Sequence, residues 1–245
     1  MSYEIHAMSF TEILDAAFRV VRDHAVLLVG IAATVYVPLA ILGALAGRPG
    51  PDGRPVLGWF LVLMAVAALL GAPIAFAAAT HAVGELYLGR RTTIGQSLRV
   101  GTSILAPLMG TALLYYLAVG VGLLLLLVPG LYLGLCWLLV WQVMVLERRF
   151  GTAALRRSRE LMRGHLLRGF GVVLVGGLVV GVLSTVLGLV FGAVPLLGPL
   201  GSGLANAVGF AYTTTVGVLL YFDIRCRREA FDLEHLARLV EGTPA

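Results

Sequence analysis

The sequence predicts an all-α polytopic integral membrane protein with six transmembrane helices, and three observations predict it. Of 245 residues, 59% are hydrophobic and only 13% are charged, with a mean hydropathy of +0.95. A soluble domain carries about 25% charged residues, so half the usual charge is left to cover the surface, and lipid becomes its natural solvent. Six apolar runs reach or approach the roughly 20 residues that cross a bilayer. Arginine, the sole basic side chain beside histidine, gathers at alternate ends of those runs.

The spans fall at about 25–46, 57–82, 103–127, 131–147, 170–191 and 203–223, within a single domain covering 1–245. The third and fourth share one nearly unbroken apolar stretch. Pro129-Gly130 is the strongest turn signal in it, with Gly120 and Gly122 as an earlier alternative. An N-terminus in the cytoplasm leaves only Arg48 and Arg54 of the 18 arginines outside. Such asymmetry follows the positive-inside rule and predicts that both termini are cytoplasmic, in a bacterial inner membrane. An odd number of spans would break the alternation. The first residues include Glu4, Glu12, Asp15 and Asp23, unlike a basic signal-peptide start, so no cleaved leader is expected.

Amphipathic segments precede each predicted hairpin. At about 9–23, Ser9 and Glu12 form a capping box, with Met8 and Ile13 placed as a hydrophobic staple. Phe10, Ile13, Leu14, Ala17, Phe18 and Val21 then recur at helical spacing. Thr93 and Gln96 form a second capping box opening about 93–101. Thr152 is the expected cap of a third helix, about 152–167, which carries four arginines against Leu155, Leu161, Met162 and Leu166. The order suggests three units of amphipathic helix plus hairpin. Asp232 opens an expected tail helix at about 232–241.

The segments SFTEILDAAFRVVRDH (9–24), LLVPGLYLGLCWLLVWQVMVLE (126–147), ALRRSRELMRG (154–164) and LLYFDIRCRREAFDLEHLARL (219–239) resemble a family of bacterial multi-helix membrane proteins. Its members are labelled as the membrane domain of glycerophosphoryl diester phosphodiesterases, and YciC-like envelope proteins look related. The resemblance implies an all-helical membrane fold. The phosphodiesterase chemistry of that family resides in a separate soluble barrel. No such region occurs here, so the expectation is a non-enzymatic chain with no cofactor.

Few residues invite chemistry. His81 and Glu85 stand at i, i+4, a spacing suited to half a metal site or a proton relay. Metal sites need three or four ligands, and the remaining histidines show no matching spacing, so an interfacial ion pair is the simpler reading. Glu147, Asp223 and Arg225 lie at predicted inner boundaries and are expected to pair with neighbouring charges. Pro38, Pro73 and Pro107 read as helix kinks. Gly177 and Gly181 form a G-x-x-x-G suited to close helix packing. Arg148, Arg149, Arg156, Arg157, Arg159 and Arg163 form the densest basic cluster and are the expected contacts for anionic headgroups. The apolar loop 192–202 suits either the outer interface or a tight turn.

These features order the expected functions. First comes a non-enzymatic protein that binds anionic lipid, or a membrane-protein partner or second copy of itself, in envelope homeostasis. A small-molecule permease or exporter is the alternative, with a cavity lined by Tyr115, Tyr116, Gln142, Asn206, Thr213, Thr214 and Thr215. A membrane-embedded lipid enzyme built on His81, Glu85 and Glu147 comes last. Nucleic acid is not an expected partner, because the arginines edge apolar runs and there snorkel to phosphate headgroups.

Overall fold

The computed structural model describes residues 6–46, 58–192 and 198–231. These residues form ten α-helices in chain order: α1 (Phe10–Asp23), α2 (Ala25–Ala46), α3 (Gly58–Tyr87), α4 (Ile94–Ser103), α5 (Leu105–Leu125), α6 (Leu127–Cys136), α7 (Val140–Leu146), α8 (Thr152–Met162), α9 (Leu166–Gly192) and α10 (Gly198–Glu229). Six stretches are long and apolar enough to cross a membrane: Ala25–Gly43, Val62–Tyr87, Leu105–Leu125, Leu127–Leu146, Leu166–Val190 and Gly201–Glu229. The chain is a multi-pass, all-α membrane protein. A short helix (α1, α4 or α8) precedes each of the three hairpins.

Helix α10 is the axle of the bundle, packing on α2, α9, α1, α3, α8 and α7. Its sequence explains that position. Without a hydrophobic drive between helices in lipid, close approach depends on small residues. Gly203 is one: a Cβ there would stand 3.1 Å from the Val37 Cα of α2. Ala205, Ala207 and Ala211 are likewise buried. By contrast, α5, α6 and α9 turn large apolar side chains such as Leu117, Leu131 and Leu178 outward, as a lipid-facing surface requires.

The short helices start as their sequences dictate. Ser9 and Glu12 complete one capping box and Thr93 and Gln96 the other. α1 buries Ile13, Ala16, Ala17, Val20 and Val21, but Phe18 is 60% exposed, so the buried stripe is rotated from the expected one. Thr152 does not cap α8; Gly151 holds the N-cap position without a side-chain cap. That helix ends at Met162 rather than near 167, because Gly164 takes a φ of +85°, a left-handed turn that suits glycine.

The expected break between the third and fourth spans is also displaced. Leu126 is extended (φ −155°, ψ 131°) and separates α5 from α6, and the chain folds back there, bringing Gly122 against Gly130. Pro129 is the third residue of α6. In a first turn the N–H is unpaired in any case, so proline is tolerated. The fourth span breaks again after Cys136, whose carbonyl accepts from the Ser158 hydroxyl at 3.2 Å. Pro38 and Pro73 lie inside α2 and α3, and Pro107 lies in the first turn of α5. A Cβ at Gly177 or Gly181 would meet nothing within 4 Å, so this G-x-x-x-G packs on no other helix among the described residues. The expected tail helix at 232–241 lies outside the described residues, as do residues 193–197 of the expected loop 192–202, whose residues 198–202 already belong to α10.

Gly101 fixes α4. A Cβ there would stand 2.6 Å from the backbone oxygen of Ile74 on α3. Gly101→Val is expected to cost about 1–3 kcal/mol by overpacking, seen as a lower thermal midpoint in detergent. An unchanged midpoint would show that α4 slides freely.

Candidate functional site

The arginine-rich end of the bundle is organised by the last turns of α10. Tyr221, Arg225 and Glu229 are spaced i, i+4, i+8 and form one stripe. Asp223 and Arg227 form a second, rotated by about 200° at 3.6 residues per turn. Each stripe meets a different set of helices.

The first stripe meets α7 and α8. The Arg157 Nε lies 2.9 Å from both oxygens of Glu147. Its terminal nitrogens Nη1 and Nη2 donate to the two oxygens of Glu229, at 2.5 and 2.9 Å. Tyr221 donates its hydroxyl to Glu147 at 2.9 Å. Arg225 donates to Glu229 at 3.0 Å, and its guanidinium lies 4.1 Å from the Phe231 ring centroid. The bonds from Glu229, and then those from Glu147, push the Arg157 guanidinium further above its already high range against the opposing effect of burial.

The second stripe meets α1 and α9. Asp223 is fully buried. It accepts from the Met8 N–H at 2.8 Å, from Arg168 at 2.8 Å and from Arg227 at 3.0 Å. Arg227 also donates to the Met8 carbonyl at 2.7 Å. One carboxylate thereby joins the residue entering α1 to α9 and α10. On the edge of this group, His165 is held below its usual range, first by burial and then by the charges of Arg228 and Arg227.

The structure divides the expected headgroup cluster. Arg157 does not face outward: it is 14% exposed and clamped between two carboxylates. Arg148, Arg149, Arg156, Arg159 and Arg163 are exposed. Among these, Arg149 pairs with Glu147 at 3.3 Å and Arg156 with Glu160 at 3.3 Å, whereas Arg148, Arg159 and Arg163 make no ion pair among the described residues. The expected pairing of Glu147, Asp223 and Arg225 is present. Asp223 and Arg225 lie within α10 rather than at its end, because their charges find partners in the bundle. Glu85 reaches Arg90 at 3.5 Å, not His81. The His81 Nδ1 is buried without a hydrogen-bond partner among the described residues.

Among the described residues, the side chains expected to line a polar cavity are spread over separate environments. A cavity of about 520 Å³ lies between α3, α5, α7 and α10, and Tyr116 is the one expected residue on its lining. The rest is apolar, including Ala72, Phe76, Ala112, Trp141 and Phe210. Tyr115 stacks edge-on against Trp141 at 5.7 Å. Gln142 is buried against Gly217. Asn206 is exposed and donates to Ser202 of its own helix. Thr213 and Thr215 bond to carbonyls one turn back, and Thr214 is buried.

Sequence reading missed Arg168, Arg227, Glu229, Tyr221 and Met8 as members of the ion networks. The i, i+4 repeats of Tyr221, Asp223, Arg225, Arg227 and Glu229 were the available signal, since such spacing aligns residues on one helix face. In the comparisons, a family described as a domain of unknown function (DUF8558) matches residues 100–224, just over half of the chain. The matched segment contains Glu147, Arg157, Arg168, Tyr221 and Asp223. No curated protein and no solved structure matches.

Proposed function

We propose that this chain, which belongs to the family described as a domain of unknown function (DUF8558), is a non-catalytic protein of a bacterial inner membrane that binds anionic lipid at its arginine-rich end. On this reading both termini are cytoplasmic, and the short amphipathic helices lie along that face in a role in envelope homeostasis. One observation carries the reading. Five arginines on α8 and its flanking turns are exposed, and three of them, Arg148, Arg159 and Arg163, make no ion pair among the described residues. Exposed pairs such as Arg156 with Glu160 hold their charges only weakly. Basic side chains beside an anionic surface contribute about 1 kcal/mol each.

The ion networks support the reading from the other direction. Glu147, Asp223 and Glu229 are saturated by guanidinium groups, and this holds the helix ends together and leaves the outer arginines for headgroups. Replacing Arg156, Arg159 and Arg163 with Gln is expected to reduce the preference for cardiolipin over neutral lipid by about 100-fold at low salt, following the roughly 1 kcal/mol per residue. The change should shrink as ionic strength rises. Lipid-exchange native mass spectrometry measures it, and an unchanged preference would refute the proposal. Arg157 is left intact because it holds the bundle together.

A further inference from the structure

The apolar cavity is a lateral cleft with a built-in mouth. Its two walls are α3 from Ala68 to Phe76 and α5 from Leu108 to Tyr116. Each wall is nine residues long, or about 12 Å from first to last along the helix. Its floor is aromatic: Phe76 meets Trp141 edge-on at 6.0 Å and Phe210 at 6.3 Å. The rim residues Leu69, Leu113 and Tyr116 are each more than half exposed, so the cleft opens sideways where the spans face hydrocarbon. At about 520 Å³ it falls within the size range of specific small-molecule sites, about 300–1,000 Å³. Small side chains, Ala72 and Ala112 among them, keep it open.

The cleft also has a charged end. Thr111 sits on α5 between the lining residues Leu108 and Ala112, and its hydroxyl accepts the N–H of Gly151 at 2.7 Å. That bond pins the turn 148–151 to the inner end of the cleft. Arg148 directly follows the Glu147 cap of α7 and stands three residues before Gly151. Arg148 is exposed, makes no ion pair among the described residues and has a φ of +55°. Glycine ordinarily fills a left-handed position after a helix end. An arginine held there bears strain of the kind that gathers at functional sites.

We infer that the α3–α5 cleft holds one acyl chain of a single anionic phospholipid whose phosphate lies against Arg148. Anionic lipid as the ligand class rests on the function proposed above. The cleft supplies what that surface lacks, a fixed stoichiometry and depth. A chain lying there passes the Trp141 indole, and Trp141 makes no hydrogen bond among the described residues. The headgroup meets a cation placed for it by backbone geometry.

Trp141 reports on the cleft. A Trp59→Phe/Trp137→Phe protein keeps Trp141 as its only tryptophan. It would be placed in neutral nanodiscs doped with phosphatidylglycerol brominated on its chains, or with equally brominated phosphatidylcholine. Trp141 quenching is expected to half-saturate at about tenfold less phosphatidylglycerol than phosphatidylcholine, the scale of one charge-assisted phosphate contact. Arg148→Gln should abolish that difference, and Ala72→Leu/Ala112→Leu should reduce quenching by both lipids. Equal quenching by the two lipids, or a cleft-filled variant quenched like the parent, overturns the proposal. The unsubstituted protein gives a second measurement: native mass spectrometry should retain one phosphatidylglycerol per chain, and a graded series of lipids with no preferred one counts against it. The Arg156→Gln/Arg159→Gln/Arg163→Gln protein separates the two ideas. If it loses its bulk anionic preference while Trp141 is quenched equally by both lipids, the surface reading stands and the cleft proposal falls. If selective quenching persists although the triple substitution changes nothing, the cleft stands alone.

Discussion

Asp223→Ala is expected to release α1 from the bundle and lower stability by about 3 kcal/mol, the low end of the range for breaking a buried ion pair. The carboxylate is fully buried and joins the Met8 N–H, Arg168 and Arg227. Without it the two guanidiniums face each other across the Met8 carbonyl. Both are partly exposed, at 24% and 33%, so water relieves some of the cost and the upper range is not reached. Because Met8 directly precedes the Ser9 cap of α1, the loss should appear locally first. Limited proteolysis should cut within the first 25 residues at protease levels that leave the parent intact, together with a lower thermal midpoint in detergent. Asp223→Asn keeps the shape and loses the charge, and should fall between the two. An N-terminal segment as resistant as the parent's would show that the apolar face of α1 suffices to hold it.

The second large effect is expected at Arg157. Its removal leaves Glu147 and Glu229 without the cation that joins them. Arg149 and Arg225 relieve part of the repulsion from the edges. Arg157→Ala is expected to cost about 3 kcal/mol. Arg157→Lys is the informative variant. A lysine retains the charge but cannot make two planar contacts at once, so most of the stability should still be lost. Lipid preference, which depends on charge near the surface, should barely change. Thermal unfolding with and without anionic lipid separates the two outcomes. A lysine protein as stable as the parent would show that the clamp depends on charge alone.

The contrast between these arginines marks how far the sequence could be read. Spans were legible because hydropathy over 20 residues averages out local detail, and every one of the six is present. Boundaries depend on single residues whose effect changes with position. Pro129-Gly130 signals a turn between elements, yet at the third residue of α6 the proline loses no hydrogen bond, and the chain turns at Leu126 instead. The acid and arginines after Phe222 look like the end of a span, since charge does not enter hydrocarbon unpaired. Paired across helices they continue the helix for six residues more. Arg157 and Arg159 are two positions apart and equivalent in any count of charge. Only the fold places one between carboxylates and leaves the other outside.

The apolar crest where α5 turns into α6 also bears on how the chain is made. Leu124, Leu125, Leu126, Leu127 and Val128 are all more than 60% exposed, and no charged residue occurs from Leu105 to Leu146. Nothing in that hairpin resists crossing to the far side, and nothing anchors it there. With the arginine-rich end cytoplasmic, as proposed above, the pair can enter the bilayer from that side as one apolar unit, with no charged loop to carry across. Its depth is then set entirely from behind, by the arginines of the α7–α8 turn that stay at the entry face. In a thinner membrane, the crest rather than the anchored end would have to adjust.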